Sequence, residues 1–230
     1  MRVAVVTVGD ELLAGDTENT NATWLCSRLT ERGVDVERIV TVPDRVEDIA
    51  RVVNEARADY DAVLVSGGIG PTHDDVTMAA VAAAVGVDLV ENEAALDWIV
   101  DEGGYARQDL AEGTADLPAG ARPLHNDVGV APGCEVESIY VLPGVPAEMR
   151  GMFESVAEEF EGVQTHREVV LADEPESALL ERIETLRKRY PVTIGSYPGD
   201  AVRVTVDGED EASVAEAAAW LRERVVSPEE

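Results

Sequence analysis

Ser66-Gly67-Gly68-Ile69-Gly70-Pro71-Thr72-His73-Asp74-Asp75-Val76-Thr77 joins an apolar run to an alanine-rich one. Upstream, Asp61-Ala62-Val63-Leu64-Val65 reads as a short, fully buried strand; downstream, residues 75–85 read as a helix. A strand, a glycine loop and a helix start together make an anion site. Glycines let backbone N–H groups approach a phosphate, and the helix N-terminus adds partial positive charge. This loop, however, contains no lysine or arginine and ends in two aspartates. Two carboxylates beside a phosphate repel it unless a divalent cation sits between them. The stretch therefore points to phosphate plus metal. It is neither a Walker loop, which needs a lysine and a hydroxyl at fixed spacing, nor the glycine fingerprint of dinucleotide-binding folds.

The same alternation extends in both directions. Residues 3–8 form a continuous apolar run, and Ala22, Leu25, Cys26 and Leu29 recur at helical spacing before Gly33. Residues 34–42 alternate like a strand, and 45–58 place Val46, Ile49, Val52, Val53 and Ala56 on one helix face. Strands alternating with amphipathic helices predict an α/β fold, a parallel sheet with helices on both faces. Ligands of such sheets bind at the carboxyl ends of the strands. Those ends carry Gly9-Asp10-Glu11, Pro43-Asp44 and the 66–75 loop, all acidic. A helix over 91–103 follows, and 104–126 has no clear period. A strand over 138–142 then leads through Pro143-Gly144-Val145-Pro146 into a helix over 147–160. After Gly162 the pattern restarts as strand 168–171, helix 176–189, strands 192–196 and 202–206, and helix 211–225. The expected organisation is a parallel-sheet domain over 1–165 and a small α+β domain over 166–230.

Composition narrows the function. Of 230 residues, 47 are acidic and 18 basic, for a net charge of −29, and Lys188 is the only lysine. The acids are spread along the chain, so this is a surface property rather than an acidic tail. It reads as adaptation to concentrated salt, where screening relieves self-repulsion. It disfavours nucleic acid as a partner, since a basic footprint is missing. Two cysteines, Cys26 and Cys134, read as reduced thiols. With no apolar leader and no run long enough to span a bilayer, the expectation is a cytoplasmic protein without membrane contact.

Each candidate residue has a bland reading as well. Asp74 and Asp75 suit a helix N-terminus, where a carboxylate contributes a few tenths to about 1 kcal/mol. The acids at neighbouring strand ends, Asp10 and Asp44, favour a shared role instead. Asp10, Asp74 and Asp75 are the expected metal ligands, of a magnesium, manganese or cobalt site that keeps waters and substrate phosphate oxygens. Ser66, Gly67, Gly68, Gly70 and Thr72 are expected at the phosphate, with Pro143, Gly144 and Pro146 lining the crevice. Asn19, Thr20 and Asn21 read as capping residues, or as hydrogen-bond partners of a ligand or a neighbouring subunit. His73, His125 and His166 form no spaced set.

The chain resembles the MoaB/MogA-type molybdopterin-binding fold, and more closely the N-terminal domain of the CinA family. The resemblance rests on V-G-D-E-L-L-A-G (8–15), T-N-A (20–22), V-P-D (42–44), the glycine loop (66–77), V-G-V-A-P-G (128–133) and L-P-G-V-P-A-E-M (142–149). I-G-S-Y-P (194–198) resembles the small domain that follows in CinA-like proteins. The resemblance implies a three-layer sandwich, a phosphate loop at Gly67, Gly68 and Gly70, and catalytic aspartates at Asp44 and Asp75. It implies a nucleotide or a pterin as ligand, and a homodimer or homotrimer. Two activities follow: divalent-metal-dependent cleavage of ADP-ribose or a similar dinucleotide, known in CinA-like proteins, or adenylyl transfer to molybdopterin, known in MogA-like ones. Non-catalytic binding of either ligand is the third reading. A related domain of some FAD synthases is linked to FAD hydrolysis. His73 stands where the family usually has proline, and 105–117 matches the family's substrate-contacting stretch only loosely. The deamidase domain that follows in many CinA proteins is not among these residues, so its activity is not expected.

Overall fold

Strand β1 (Arg2–Val8) is buried from Val3 onward, as a strand covered on both faces must be. The computed structural model describes residues 1–228, in two compact units, Met1–Gly162 and a second that begins at Val163. In the first, β1 runs into a short helix α1 (Asp10–Ala14), which Gly15 closes in the left-handed conformation. Helix α2 (Thr20–Glu31) begins where the Asn19 side chain accepts the N–H of Ala22. Then come β2 (Asp35–Val42), α3 (Val46–Asp59), β3 (Ala62–Ser66), α4 (Thr77–Val85), β4 (Leu89–Glu91), α5 (Glu93–Asp101), β5 (Asp116–Pro118), β6 (Arg122–Leu124), β7 (Gly133–Val136), β8 (Ile139–Leu142) and α6 (Pro146–Val156).

The central sheet has the order β2-β1-β3-β8-β7-β6. β1 pairs in parallel with β2 and β3, and β3 with β8, while β7 is antiparallel to both neighbours. Successive residues feed two separate cores. Ala4, Val6, Val63, Val65, Ile139 and Val141 join the cluster that also holds Ile49, Val53 and Val81 of α3 and α4. Val3, Val5, Leu64 and Leu142 join Leu25, Leu29, Met149 and Phe153 of α2 and α6. This is the three-layer α/β sandwich. Each such Val, Leu, Ile, Met or Phe side chain contributes roughly 1.5–3 kcal/mol on burial, which fixes the strand ends that carry the loops. β4 and β5 form a separate antiparallel pair.

The second unit holds β9 (His166–Ala172), α7 (Glu176–Arg189), β10 (Thr193–Tyr197), β11 (Val202–Gly208) and α8 (Glu211–Arg222). Its antiparallel sheet has the order β10-β11-β9. Val202, Val204 and Val206 pack with Leu179, Leu186 and Leu221 of its two helices.

Candidate functional site

The glycine loop leaves β3 between two neighbours that shape it. Ser66, buried at the strand end, donates its hydroxyl to Pro143 O (2.9 Å), and Gly67 N–H reaches Leu142 O (3.1 Å). Gly67 has φ +111°, and a Cβ there would lie 2.3 Å from Val8 O. Both conformation and space therefore demand glycine. Gly67→Ala is expected to destabilise the fold by about 3 kcal/mol, from left-handed strain plus forced displacement of β1. Thermal unfolding should fall by roughly 6–12 °C; a shift under 2 °C would contradict the tight approach. Past Gly68 (φ +66°), Thr77 fastens the loop from the first turn of α4. Its hydroxyl donates to Gly67 O (2.8 Å) and its N–H to Gly68 O (3.0 Å).

Hydrogen-bond accounting then separates spent from spare donors. Gly67 N–H, Thr72 N–H and Asp75 N–H all have partners within the chain. Among the described residues, none accepts the N–H groups of Gly68, Ile69 or Gly70. Three successive N–H groups of the loop are thus free to donate to an anion.

Helix α4 begins at Thr77, not at 75 as the sequence suggests, so Asp74 and Asp75 precede it in a turn. Asp75 Oδ2 accepts from Thr72 N–H (3.0 Å) and Thr72 Oγ1 (2.5 Å). One carboxylate oxygen thus ties the loop, and Oδ1 takes no hydrogen bond among the described residues. At the end of β2, Asp44 accepts the Asp10 N–H (2.8 Å). Burial pushes the Asp44 carboxyl above its ordinary range; the Asp10 N–H opposes this, and the nearby carboxylates of Asp10, Glu11 and Asp74 add to it. A carboxyl raised in the folded state stabilises the fold at low pH and loses that contribution as pH rises. In chelator-treated protein, Asp44→Asn is therefore expected to raise the melting temperature by a few degrees at pH 7. The gain should fade on acidification; a pH-independent change would refute the electrostatic cause.

The sequence-derived residues fall into three neighbourhoods. Ser66, Gly144 and Pro146 line a cavity of about 100 Å³ together with Glu11, Asn19 and Asn21. Gly70, Thr72 and Asp75 line another of about 210 Å³ with Met78, Glu112 and Asp116. Asp10, Asp44, Asp74, Gly67, Gly68 and Pro143 line neither. Pro143 instead supplies the carbonyl that fixes Ser66, and Gly144 comes so near the glycine loop that a Cβ would lie 3.4 Å from Gly67 Cα. Among the described residues, no three of His, Cys, Asp and Glu stand close enough to hold a metal, so Asp10, Asp74 and Asp75 do not form one ligand set.

Two contributions escaped sequence reasoning. The sequence offers Asn21 only as a capping residue or as a hydrogen-bond partner of a ligand or a neighbouring subunit. Its Nδ2 donates to Ser66 Oγ (3.0 Å) and Gly144 O (2.8 Å), latching α2 to both crevice loops. Asn126, buried in a polar segment, donates to Ala131 O (3.0 Å) and Glu148 Oε2 (2.8 Å) and accepts from Gly129 N–H (2.8 Å). Only its position just before V-G-V-A-P-G hinted at this clasp. His73 is fully exposed, His125 packs on Trp98, and Cys134 is buried with its thiol pushed up to about 12, so none is poised for nucleophilic chemistry.

Comparison with known proteins agrees with this layout. Residues 4–162 match the family described as probable molybdopterin binding domain, and 164–228 match the FAD synthase middle domain. A solved structure of CinA from Thermoplasma acidophilum, described as of unknown function, superposes with a TM-score of 0.64. It is 38% identical, over 69% of this chain and 97% of that one. The chain belongs to the CinA family. A protein of Archaeoglobus fulgidus is 37% identical over 225 aligned positions, 97% of each chain. One from Thermococcus kodakarensis is 40% identical over the full length of both. These two matches run through the C-terminal α+β unit as well.

Proposed function

We propose that this CinA-family protein is a divalent-metal-dependent nucleotide pyrophosphatase, acting on ADP-ribose or a similar dinucleotide. The observation that carries the reading is the run of three spare N–H groups, Gly68 to Gly70, next to a set of carboxylates rather than basic side chains. These donors suit a diphosphate oxygen, and Thr72 with Asp75 holds the loop in shape.

The residues around Asp44 fit a cation on chemical grounds. The charged groups acting on Asp44 are all acids, so a positive ion would relieve them. With no cage of three protein ligands, the ion that fits is one that keeps waters and takes phosphate oxygens, with Asp10, Asp44, Asp74 or Asp75 supplying one or two ligands. When bound, such an ion neutralises charge on the diphosphate and acidifies a water. The chain's own part is to fix the diphosphate at the loop and to present Asp44 and Asp75 Oδ1 as acceptors for the proton of the attacking water. Hydrolysis then forms one P–O bond from that water and breaks the bridging P–O bond, giving AMP and ribose 5-phosphate.

The test is incubation in molar potassium chloride with magnesium, manganese or cobalt and ADP-ribose, FAD, NAD or ATP, with products read by mass spectrometry. Metal-dependent AMP release from ADP-ribose is expected. No turnover of any substrate by protein shown to be folded by circular dichroism would overturn the reading. The second reading, molybdopterin binding or adenylyl transfer, would then lead, favoured by the family description matched over 4–162. Adaptation to a salt-rich cytoplasm and assembly into a dimer or trimer belong to the same proposal. Among the described residues no helix is long and apolar enough to cross a membrane.

A further inference from the structure

The C-terminal unit leaves one face of its sheet bare. Val170, Ile194, Val204 and Val206 pack in the core with α7 and α8, so the residues between them point the other way. Register sets Arg203 beside Leu171 and Tyr197 at one end of that bare face, and Asp207 beside Arg167 at the other. Thr205 lies midway, between Val169 and Gly195. Val169, Leu171 and Tyr197 are 41%, 49% and 47% exposed. The sheet edges, by contrast, are closed. Arg222 of α8 donates to Val169 O on β9 (3.2 Å), and Arg187 of α7 donates to Ile194 O on β10 (3.0 Å). Charged caps on both edge strands discourage strand addition, which leaves the face as the open side.

Two features of this face serve nothing within the unit itself. Gly195 stands mid-strand, where glycine weakens a sheet, and a Cβ there would lie 2.9 Å from the Tyr197 ring. The missing side chain lets that ring lie back over the sheet as a platform. Arg203 sits over the same ring, 4.6 Å from its centroid. Among the described residues it has no carboxylate partner, in a chain whose acids outnumber its bases 47 to 18. Asp207 has capacity to spare as well: Oδ1 accepts from Arg167, while Oδ2 takes no hydrogen bond among the described residues.

We propose that this face is a contact between two copies of the chain. A two-fold axis lying in the plane of the contact, across β11 at Thr205, stacks the faces with their strands antiparallel. Arg203 and Asp207 stand two residues to either side of Thr205 on β11, so each Arg203 meets the partner's Asp207. Val169 meets its own counterpart, Leu171 covers the stem of the partner's Arg167, and the two Tyr197 rings stack near the axis. Apolar groups thus fall at the centre and ion pairs at the ends. Turning the axis along the strands would set Arg203 against Arg203, so charge selects this arrangement. A purely acidic partner would satisfy Arg203 but repel Asp207. A three-stranded face is at the small end of interfaces, which makes the contact concentration-dependent. It names one surface for the assembly proposed above and is independent of the pyrophosphatase reading.

Disulfide cross-linking of the full chain in molar potassium chloride, with diamide as oxidant, tests it. Val169→Cys is expected to give a covalent dimer whose yield rises with protein concentration. The blank is the wild type, with half-buried Cys26 and buried Cys134, and the collision control is Leu180→Cys on exposed α7. Adding Arg203→Glu should cut the yield about fivefold or more, because it replaces both ion pairs by like-charge contacts. The melting temperature should stay within about 2 °C, since Arg203 is exposed and the change breaks no ion pair. Equal yields from Val169→Cys and Leu180→Cys, or a yield that Arg203→Glu leaves unchanged, would overturn the proposal. A Val169→Cys thiol that neither cross-links nor reacts with a maleimide would overturn it too, by showing the face covered from within one chain. If cross-linking fails while sedimentation still shows a dimer or trimer, the assembly stands and this face is not its contact.

Discussion

Asp75→Asn is expected to lower metal-dependent AMP release by 10²- to 10⁴-fold while leaving the melting temperature within about 2 °C, the span typical of losing one general base or charged ligand. The two halves of this carboxylate explain the contrast. Oδ2 accepts from Thr72 N–H and Thr72 Oγ1, and an asparagine carbonyl can take both bonds without moving the loop. Oδ1 carries the remaining charge, and that is what the substitution removes. A fall of this size corresponds to about 3–5.5 kcal/mol of transition-state stabilisation. Thr72→Val separates the roles, since it deletes the hydroxyl clasp but keeps the carboxylate. Its effect should be smaller on turnover and larger on the melting temperature. Turnover of Asp75→Asn near the wild-type rate would show that this aspartate only shapes the loop.

The layered fold was legible because its strands are apolar on both faces, a pattern half-exposed strands cannot show. Residues 3–8 and 61–65 declare themselves this way, and the helices between them carry regular stripes. The strand at 138–142 was legible, but the antiparallel strands β7 and β6 beyond it were not. β7 and β8 form a hairpin whose turn residues, Glu137 (φ 48°) and Ser138 (φ 61°), are both left-handed without being the glycine or asparagine that signals such turns. Strands β4, β5 and β6 have three residues each, too few for any period. The helix expected over 147–160 ends at Val156 and passes into a tighter turn over Ala157–Glu159.

At the site, residue type and strand-end position single out the glycine loop and its neighbouring acids as candidates, and the family resemblance singles out Asp44 and Asp75 among them. They could not show which donors were spent. Gly67 was expected to hold phosphate, yet its N–H belongs to Leu142 O, and its role is to pass close under β1. Such bookkeeping depends on contacts between residues far apart in sequence, such as Asn21 with Gly144, and only the folded chain supplies them.

Dialysis from 2 M to 0.05 M potassium chloride is expected to lower the melting temperature by at least about 10 °C. Two effects compete. Most basic residues already sit against carboxylates, including Arg28 with Glu154 and Arg182 with Glu174, and lowering the salt strengthens these pairs. Exposed pairs contribute about 0–1 kcal/mol each, and they use few of the acids. The excess of 29 negative charges has no such partners, and its repulsion acts over the whole surface. The screening length grows from about 3 Å at 1 M to more than 10 Å below 0.1 M, so carboxylates that ignore one another in brine interact across several neighbours in dilute buffer. Folding concentrates these charges more than the unfolded chain does, and repulsion therefore wins. At roughly 2–4 °C per kcal/mol for a chain of this size, 10 °C requires only about 3–5 kcal/mol. Sucrose separates the causes, because it favours compact states without screening charge. Equal rescue by sucrose and by potassium chloride would argue against electrostatics, and a drop under 3 °C would show that the ion pairs offset the excess.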